Sequence, residues 1–453
     1  MLVHAASIAA LRTHRRLGSA RTYPTANDPP RKACLIVISV DDHLASILDA
    51  IPVLPPFAQT LLDAQGCAVC DDIPCRIDLP GFDNSAMDGY AVQAADVAAA
   101  SPTNPITLPV VGDIPAGHAR AYGIRSGMAV RIMTGAMVPG GADAIVPVEG
   151  TDGGMVTVRI TEPASAGVHI RRQGSDAGVG DLLIPARTVL AARHISALAA
   201  AGYERVPVHP RPRVVVLSTG SELQAPGSTL GEAMIYDSNS FGLAASARSA
   251  GAVVYRVGIV PDDPRQLLDL LEDQLVRADL IVTSGGVSVG AYDVVKEVLS
   301  RLGTIEFSQV AMQPGKPQGF GTIGEDATPI FTLPGNPVSS FVSFEVFVRP
   351  AIRKMQGLPA EGGGRVQAVV THPFPSPPGR RQFARARYLP PPAGSHELGT
   401  ITPIGGQRSH QVSDLTEANA LAIVPEPATH VPAGARLTTI LLDDASRPLL
   451  TAR

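Results

Sequence analysis

The sequence predicts a multi-domain protein of α/β plus β class, organised around a three-layer domain in which helices cover both faces of a parallel sheet. Three observations lead there. From Arg213 to Met355 short apolar strands alternate with amphipathic helices, the pattern of a parallel sheet with crossover connections. Between Asp83 and Ile170, and again after residue 357, the texture is instead short Val/Ile/Thr runs broken by Gly and Pro, which reads as β-rich modules. A length of 453 residues implies three or four domains.

Taken in order, residues 1–40 are expected to form a disordered leader. They carry Arg12, Arg15, Arg16 and Arg21 with no acid before Asp28, and the charges follow the apolar stretch instead of preceding it as in a secretory signal. Ile38 to Ile51 places Leu44, Ile47, Leu48 and Ile51 at helical spacing behind Asp41 and Asp42, predicting one amphipathic helix. Residues 41–82 and 171–211 are assigned to this helix and a connecting linker domain, 83–170 to an inserted β-rich domain, 212–357 to the α/β domain and 358–453 to a C-terminal β domain.

Within the α/β domain the expected strands are Val214–Leu217, Val253–Val257, Leu280–Thr283, Ile305–Val310 and Ile330–Leu333. The expected helices run around Phe241–Ala250, over Pro264–Arg277 with Leu267, Leu271 and Leu275 on one face, over Tyr292–Leu302 and over Val338–Met355.

Composition narrows the function. The formal charge of −4, from 37 basic and 41 acidic residues, leaves no electrostatic footprint for nucleic acid. No apolar run approaches the ~18 to 20 residues of a membrane span. Four cysteines do not make a disulfide framework and point to a reducing, cytoplasmic compartment. Cys67, Cys70 and Cys75 resemble a metal knuckle or redox pair but lack a fourth ligand, so free cysteines in a connector are the preferred reading. Only Lys32, Lys296, Lys316 and Lys354 are lysines, and the other 33 basic residues are arginine.

Ligands of open α/β sheets bind beyond the carboxyl ends of the strands. Those ends carry Ser218-Thr219-Gly220-Ser221-Glu222, Thr283-Ser284-Gly285-Gly286-Val287-Ser288-Val289-Gly290, Met312-Gln313-Pro314-Gly315-Lys316-Pro317 and Leu333-Pro334-Gly335-Asn336-Pro337-Val338-Ser339-Ser340. Small and hydroxyl residues there let backbone N–H groups approach an anion. Neither a Walker loop nor a GxGxxG fingerprint occurs, so a phosphate-bearing or oxyanion ligand bound by another scheme is expected. Lys316, held in a Pro-Gly-Lys-Pro turn, is a candidate ammonium for that oxyanion. Asp263 is explained as the N-cap of the following helix, whereas Asp262, Glu222 and Asp293 are not. If these three share a cleft with the anion loops, a bridging Mg²⁺ would offset their repulsion of a phosphate.

Four segments then carry a family resemblance: Asp83-Asn84-Ser85-Ala86-Met87-Asp88-Gly89-Tyr90-Ala91-Val92, Arg131-Ile132-Met133-Thr134-Gly135-Ala136, and the strand ends Thr283–Gly290 and Leu333–Ser339. Together they resemble the signatures of the MoeA-type molybdopterin molybdenumtransferases, the family of the gephyrin E domain, in the family's order from Asp41 to the C-terminus. The resemblance implies a molybdopterin-binding type of α/β domain and a small β-barrel-like C-terminal domain. It also implies insertion of molybdate into adenylated molybdopterin with Mg²⁺-dependent release of AMP, and a homodimer whose cleft lies between subunits. A molybdopterin adenylyltransferase would act upstream.

Carried over residue by residue, Asp88, Thr134, Arg171, Asp176, Glu222, Asp262 and Asp293 match positions implicated in catalysis or cofactor binding, the last three with Mg²⁺. Lys316, Ser339 and Arg385 match molybdate positions, and Ser409 a further functional serine. Ser218, Thr219, Gly220, Ser284, Gly285, Gly286, Ser288, Gly290, Pro314, Gly315, Gly335 and Asn336 are assigned to the cofactor. No side-chain nucleophile is evident, which leaves a molybdate oxygen or water to attack the phosphoanhydride. Gln313 and Gln309 stand where many members carry basic residues, so weaker molybdate binding is expected, with Gln313 still donating through its amide. Two alternatives are a molybdopterin adenylyltransferase, which would turn over ATP, and a non-catalytic scaffold like gephyrin.

Overall fold

The computed structural model describes residues 37–117, 123–285, 303–362 and 364–442, together with Val295, Val298 and Leu299. Its centre is a seven-stranded sheet in the order Val37–Ile38, Glu306–Val310, Pro317–Ile323, Thr328–Leu333, Leu280–Ser284, Arg213–Thr219 and Val253–Val260. Val214, Val215, Val216 and Leu217 are all fully buried, as are Leu280, Ile281 and Val282. Such continuous apolar runs form strands covered on both faces, and these strands pair in parallel with one another and with Thr328–Leu333.

Two features of the sheet depart from expectation. Pro317–Ile323 is an additional strand, antiparallel to both neighbours. It lacks an apolar run because close approach requires glycine: a Cβ on Gly319 would lie 2.0 Å from Thr332 Oγ1, and one on Gly321 2.6 Å from Ile305 Cα. At the other edge, Val37 and Ile38 pair in parallel with Gln309 and Val310, so the expected disordered leader ends before residue 40.

The helix Val40–Ala50 starts at Ser39, whose Oγ accepts from Asp42 N at 3.0 Å. It buries Val40 and Ile47 in the same core as Phe331, Leu333, Val342 and Phe347. The helix therefore belongs to the α/β core, not to the linker domain to which its position in sequence assigned it. On the opposite sheet face Leu267 and Leu271 of the helix Pro264–Leu275 pack with Ile281, Ile330, Val295 and Leu299. The remainder of the expected helix Tyr292–Leu302 lies outside the described residues. The long helix expected over Val338–Met355 is divided into Pro337–Ser343, a π turn at Phe344–Val348 and Arg349–Met355. Pro350 has no N–H to continue the i−4 ladder, and the register widens just ahead of it.

The inserted module is a five-stranded sheet in the order Thr157–Ile160, Ile106–Ile114, Ala129–Ile132, Gly89–Val92 and Ala144–Pro147. A separate core built from Val69, Ile73, Ile184, Leu198, Val206 and Val208 joins residues from either side of that insertion. Cys67 and Cys75 are buried in this core, and these two and Cys70 are free thiols.

The C-terminal module is a six-stranded sheet in which Ala420–Val424 pairs back onto Arg381–Leu389, closing a small barrel. Its outermost strand, Met312–Gln313, comes from the α/β domain and runs parallel to Arg381–Leu389. Among the described residues no helix is long and apolar enough to cross a membrane.

Candidate active site

The carboxyl ends of the parallel strands converge as their loop composition suggests. Gly285 has φ +99°, and a Cβ there would meet Thr219 O at 2.5 Å, so the loops after two neighbouring strands touch through backbone. A Cβ on Gly335 would lie 3.7 Å from Gly285 Cα, which brings the loop containing Asn336 alongside. Asn239 ties the group together: its Nδ2 donates to Ser284 Oγ at 2.8 Å and to Gly335 O at 2.6 Å. Ser218 Oγ donates to Asp237 Oδ1 at 2.9 Å, and Asp237 also accepts from Ser240 N at 3.0 Å and from the Ser240 hydroxyl. Among the described residues the buried hydroxyls of Thr219, Thr283 and Thr332 have no hydrogen-bond partner.

Asp237 and Asn239, which join these loops, were not singled out from the sequence. Asp237-Ser238-Asn239-Ser240 is four consecutive polar residues ahead of a helix otherwise recognised from Phe241, and that run was the available signal.

Of the expected carboxylates, Asp262 is fixed at one end of this edge. Asp262 Oδ2 accepts from Ser221 N at 3.1 Å, and Asp262 N donates to Ser221 Oγ at 3.3 Å, which fixes Asp262 against the loop carrying Gly220 and Glu222. Asp263 is the expected N-cap, its Oδ1 accepting from Arg265 N and Gln266 N at 2.9 Å each. Gly286, Ser288, Gly290 and Asp293 lie outside the described residues.

At the other end is the Gln313–Pro317 turn. Gly315 has φ +97°, and its missing Cβ makes room for Ser343 Oγ, which would otherwise lie 2.7 Å away. Gln318, 2 % exposed, donates from Nε2 to Gly315 O and to Ser343 Oγ, each at 2.6 Å. The turn is thus pinned from below by a buried amide that sequence reading did not single out. Lys316 follows Gly315 half-buried, and among the described residues its ammonium has no hydrogen-bond acceptor or ion-pair partner. Gln313 Oε1 accepts from Arg380 Nη1 at 3.3 Å, while Gln309 lies mid-strand opposite Val37 and Pro317.

The C-terminal barrel reaches the same edge. Val338 N donates to Ser409 O at 3.2 Å, setting Ser409 beside the loop that carries Asn336 and the buried Ser339. Arg385 is 1 % exposed; its Nη1 donates to Arg408 O at 3.0 Å and its Nη2 pairs with Asp414 at 3.2 Å, and its Nε has no partner among the described residues. Burial lowers the Arg385 pKa, opposed by the Asp414 carboxylate. Its charge is therefore already partly balanced within the barrel.

The remaining candidates lie on the inserted module and on the segment that follows it. Asp88 Oδ1 accepts from both Thr134 N and Thr134 Oγ1 at 2.7 Å, and these bonds hold the exposed Asp88 carboxyl below the usual carboxylate range. Arg171 sits opposite Asn84 in a two-stranded ladder, beside the Arg172–Asp83 ion pair at 2.6 Å. Asp176 N donates to Leu79 O at 2.9 Å. Among the described residues no hydrogen bond or ion pair joins Asp88, Thr134, Arg171 or Asp176 to the α/β loops.

Comparison with known proteins follows the same division. Residues 38–202 match the MoeA N-terminal region (domain I and II), 215–354 a family described as "Probable molybdopterin binding domain", and 367–442 the MoeA C-terminal region (domain IV). Molybdopterin molybdenumtransferase 2 of Mycobacterium tuberculosis is 46% identical over 405 residues, covering 88% of this chain and 98% of that protein. The molybdopterin molybdenumtransferase of Nostoc sp. is 36% identical over 403 residues, 87% of this chain and 92% of that one. Two structures of molybdopterin biosynthesis MoeA proteins from Pyrococcus horikoshii superpose with TM-scores of 0.74 and 0.69 at 30% and 27% identity, each covering 90% of this chain and 100% of the other. With matched segments spanning the barrel, the α/β sheet and the inserted module alike, the chain belongs to the MoeA family of molybdopterin molybdenumtransferases.

Proposed function

We propose that this chain is a molybdopterin molybdenumtransferase that completes the molybdenum cofactor by inserting molybdate into adenylated molybdopterin and releasing AMP. The observation that carries this reading is the placement of the glycine- and hydroxyl-rich strand ends and the Lys316 turn at one sheet edge. Backbone N–H groups and small hydroxyls there suit phosphates, and a compact ammonium with no ion-pair partner among the described residues suits a tetrahedral dianion.

The division of labour follows from the two ends of that edge. Lys316, Ser339 and Gln313 would hold molybdate, with Arg385 Nε, which has no partner among the described residues, as a further donor. Ser218, Thr219, Gly220, Ser284, Gly285, Asn336 and Ser409 would seat the pterin and its pyrophosphate. Glu222 and Asp262, two carboxylates flanking Ser221, fit a site for Mg²⁺, which is commonly held by one or two carboxylates plus substrate phosphates. Bound there, the ion would supply charge neutralisation at the phosphoanhydride. Asp262 itself anchors the Ser221 loop, so its loss would misplace the pyrophosphate as well.

Among the described residues no hydrogen bond joins Asp88 or Thr134 to the α/β loops, and a homodimer in which a second copy supplies them to the cleft accounts for that separation. Chains carrying Asp88→Ala and Asp262→Ala, each inactive alone, would then recover up to about a quarter of wild-type activity when mixed, since half the dimers are mixed and each has one intact cleft. An adenylyltransferase upstream would provide the substrate, and the free Cys67, Cys70 and Cys75 accord with a reducing, cytoplasmic setting.

The deciding experiment incubates the protein with adenylated molybdopterin, molybdate and Mg²⁺. AMP release that requires molybdate and disappears in Asp262→Ala is the expected result. ATP turnover without molybdate-dependent AMP release would replace the reading with an adenylyltransferase.

A further inference from the structure

Arg380 is set apart from its neighbours by what it is paired with. Arg381, the next residue, is fully engaged: it donates to both Asp41 oxygens at 2.6 and 2.8 Å and to Glu426 at 2.9 Å. Arg380, half-buried, has no carboxylate partner among the described residues, and its one hydrogen bond is from Nη1 to the neutral Gln313 Oε1 at 3.3 Å. The contact is built by backbone. Met312 and Gln313 pair in parallel with Arg381 and Gln382, Arg381 N donates to Ala311 O at 2.8 Å, and Gly379 N donates to Glu426 O at 2.8 Å. Arg380 is thereby held between two fixed points beside Gln313, three residues before Lys316 in the same turn.

The chemistry of the pair sets its direction. A guanidinium has only donors, so the Gln313 amide must turn its oxygen to Arg380 and its Nε2 hydrogens away. Among the described residues nothing accepts from that Nε2. An amide polarised by a cation on its oxygen is a stronger donor through its nitrogen. Gln313 and Arg380 together therefore present what a lysine at position 313 would: donors directed by a positive charge, with the charge carried one side chain further back.

We propose that Arg380 is a molybdate-binding residue of this chain, acting with Gln313 as a guanidinium–amide pair that supplies the second positive charge of the Lys316 oxyanion site. This rests on the oxyanion site of the proposed function and goes beyond it by naming a residue from the C-terminal module and by reversing the expectation of weak molybdate binding at Gln313.

The test is calorimetric titration of the full-length protein with molybdate alone and, separately, with AMP. Arg380→Ala should weaken molybdate binding about tenfold or more, as expected for loss of a charge-assisted contact, and Arg380→Lys should retain most of it. AMP affinity should stay within twofold. Adding Gln313→Lys to Arg380→Ala should bring molybdate affinity back toward wild type, because the charge is restored from the other partner; a purely structural role for Arg380 would give no such rescue. Arg380→Ala within twofold of wild type while Lys316→Ala loses binding would overturn the proposal and leave the oxyanion site standing. Failure of the Gln313→Lys rescue, or an equal loss of AMP affinity, would also overturn it. Unchanged binding in Lys316→Ala would remove the oxyanion site itself, and the inference with it.

Discussion

Replacing Gln318 by leucine tests whether the turn that carries Lys316 is held in place from the core. The side chain is 2 % exposed and donates from Nε2 to Gly315 O and Ser343 Oγ, both at 2.6 Å. Leucine keeps the volume but leaves a buried carbonyl without a donor, at a cost of about 1–3 kcal/mol, with a smaller loss at Ser343, whose hydroxyl can reorient. A total of about 2–4 kcal/mol corresponds to a fall in Tm of roughly 4–15 °C for a domain of this size. Because Gly315 immediately precedes Lys316 and relies on φ +97°, relaxation of its peptide moves the ammonium, and molybdate affinity should fall together with stability. The assay is thermal unfolding of Gln318→Leu followed by molybdate titration below the transition. Gln318→Glu serves as the isosteric control, placing an acceptor against the Gly315 carbonyl. A Tm within about 1 °C of wild type, with unchanged molybdate affinity, would refute the view that this buried amide positions the turn.

Further outcomes follow from other contacts. Gly285→Ala combines a left-handed φ of +99° with a Cβ 2.5 Å from Thr219 O, so AMP release should drop by more than about tenfold, read in the coupled assay with stability monitored in parallel. His43, buried edge-on to Phe347 with ring centroids 4.8 Å apart, has its pKa lowered by burial to about 4. Its folded value lies below the unfolded one, so stability is full above about pH 6.5 and is lost progressively toward pH 4, by about 3 kcal/mol; that part of the pH dependence should be missing from denaturant curves of His43→Leu. The hydrogen bonds and charge of Arg381 depress the Asp41 pKa, so their stabilisation is present above the unfolded value of about 3.9 and lost as pH falls through the lower folded value. Asp41 is mostly exposed, so Asp41→Asn should cost under about 1 kcal/mol at pH 7 and less at pH 2, measured by urea unfolding at both pH values.

Much of the fold could be read locally. Arg213-Val214-Val215-Val216-Leu217 is a buried parallel strand by composition, Asp263-Pro264 is a helix start by capping chemistry, and both occur as expected. The strand Pro317–Ile323 escaped because its glycines, which admit Thr332 and Ile305, also erase the hydrophobic signal. The first helix was misassigned to the linker because periodicity reports that a face is buried, not what buries it.

For the site, loop chemistry at the strand ends marked Ser218, Ser284, Gly315 and Asn336, since glycine and small hydroxyls leave a trace in composition. The sequence by itself thus determined the elements, the sheet edge that carries the glycine- and hydroxyl-rich loops and the family to which the chain is similar. The tertiary structure decided the partners. Asn239 meets Gly335 across 96 residues of chain, Arg380 meets Gln313 across 67, and Arg385 is balanced by Asp414 inside a closed barrel. Such pairings depend on strand register and backbone approach between distant segments. Nothing in the local pattern around Gln313 says that an arginine stands behind its amide; only the addition of Met312–Gln313 to the C-terminal sheet puts it there.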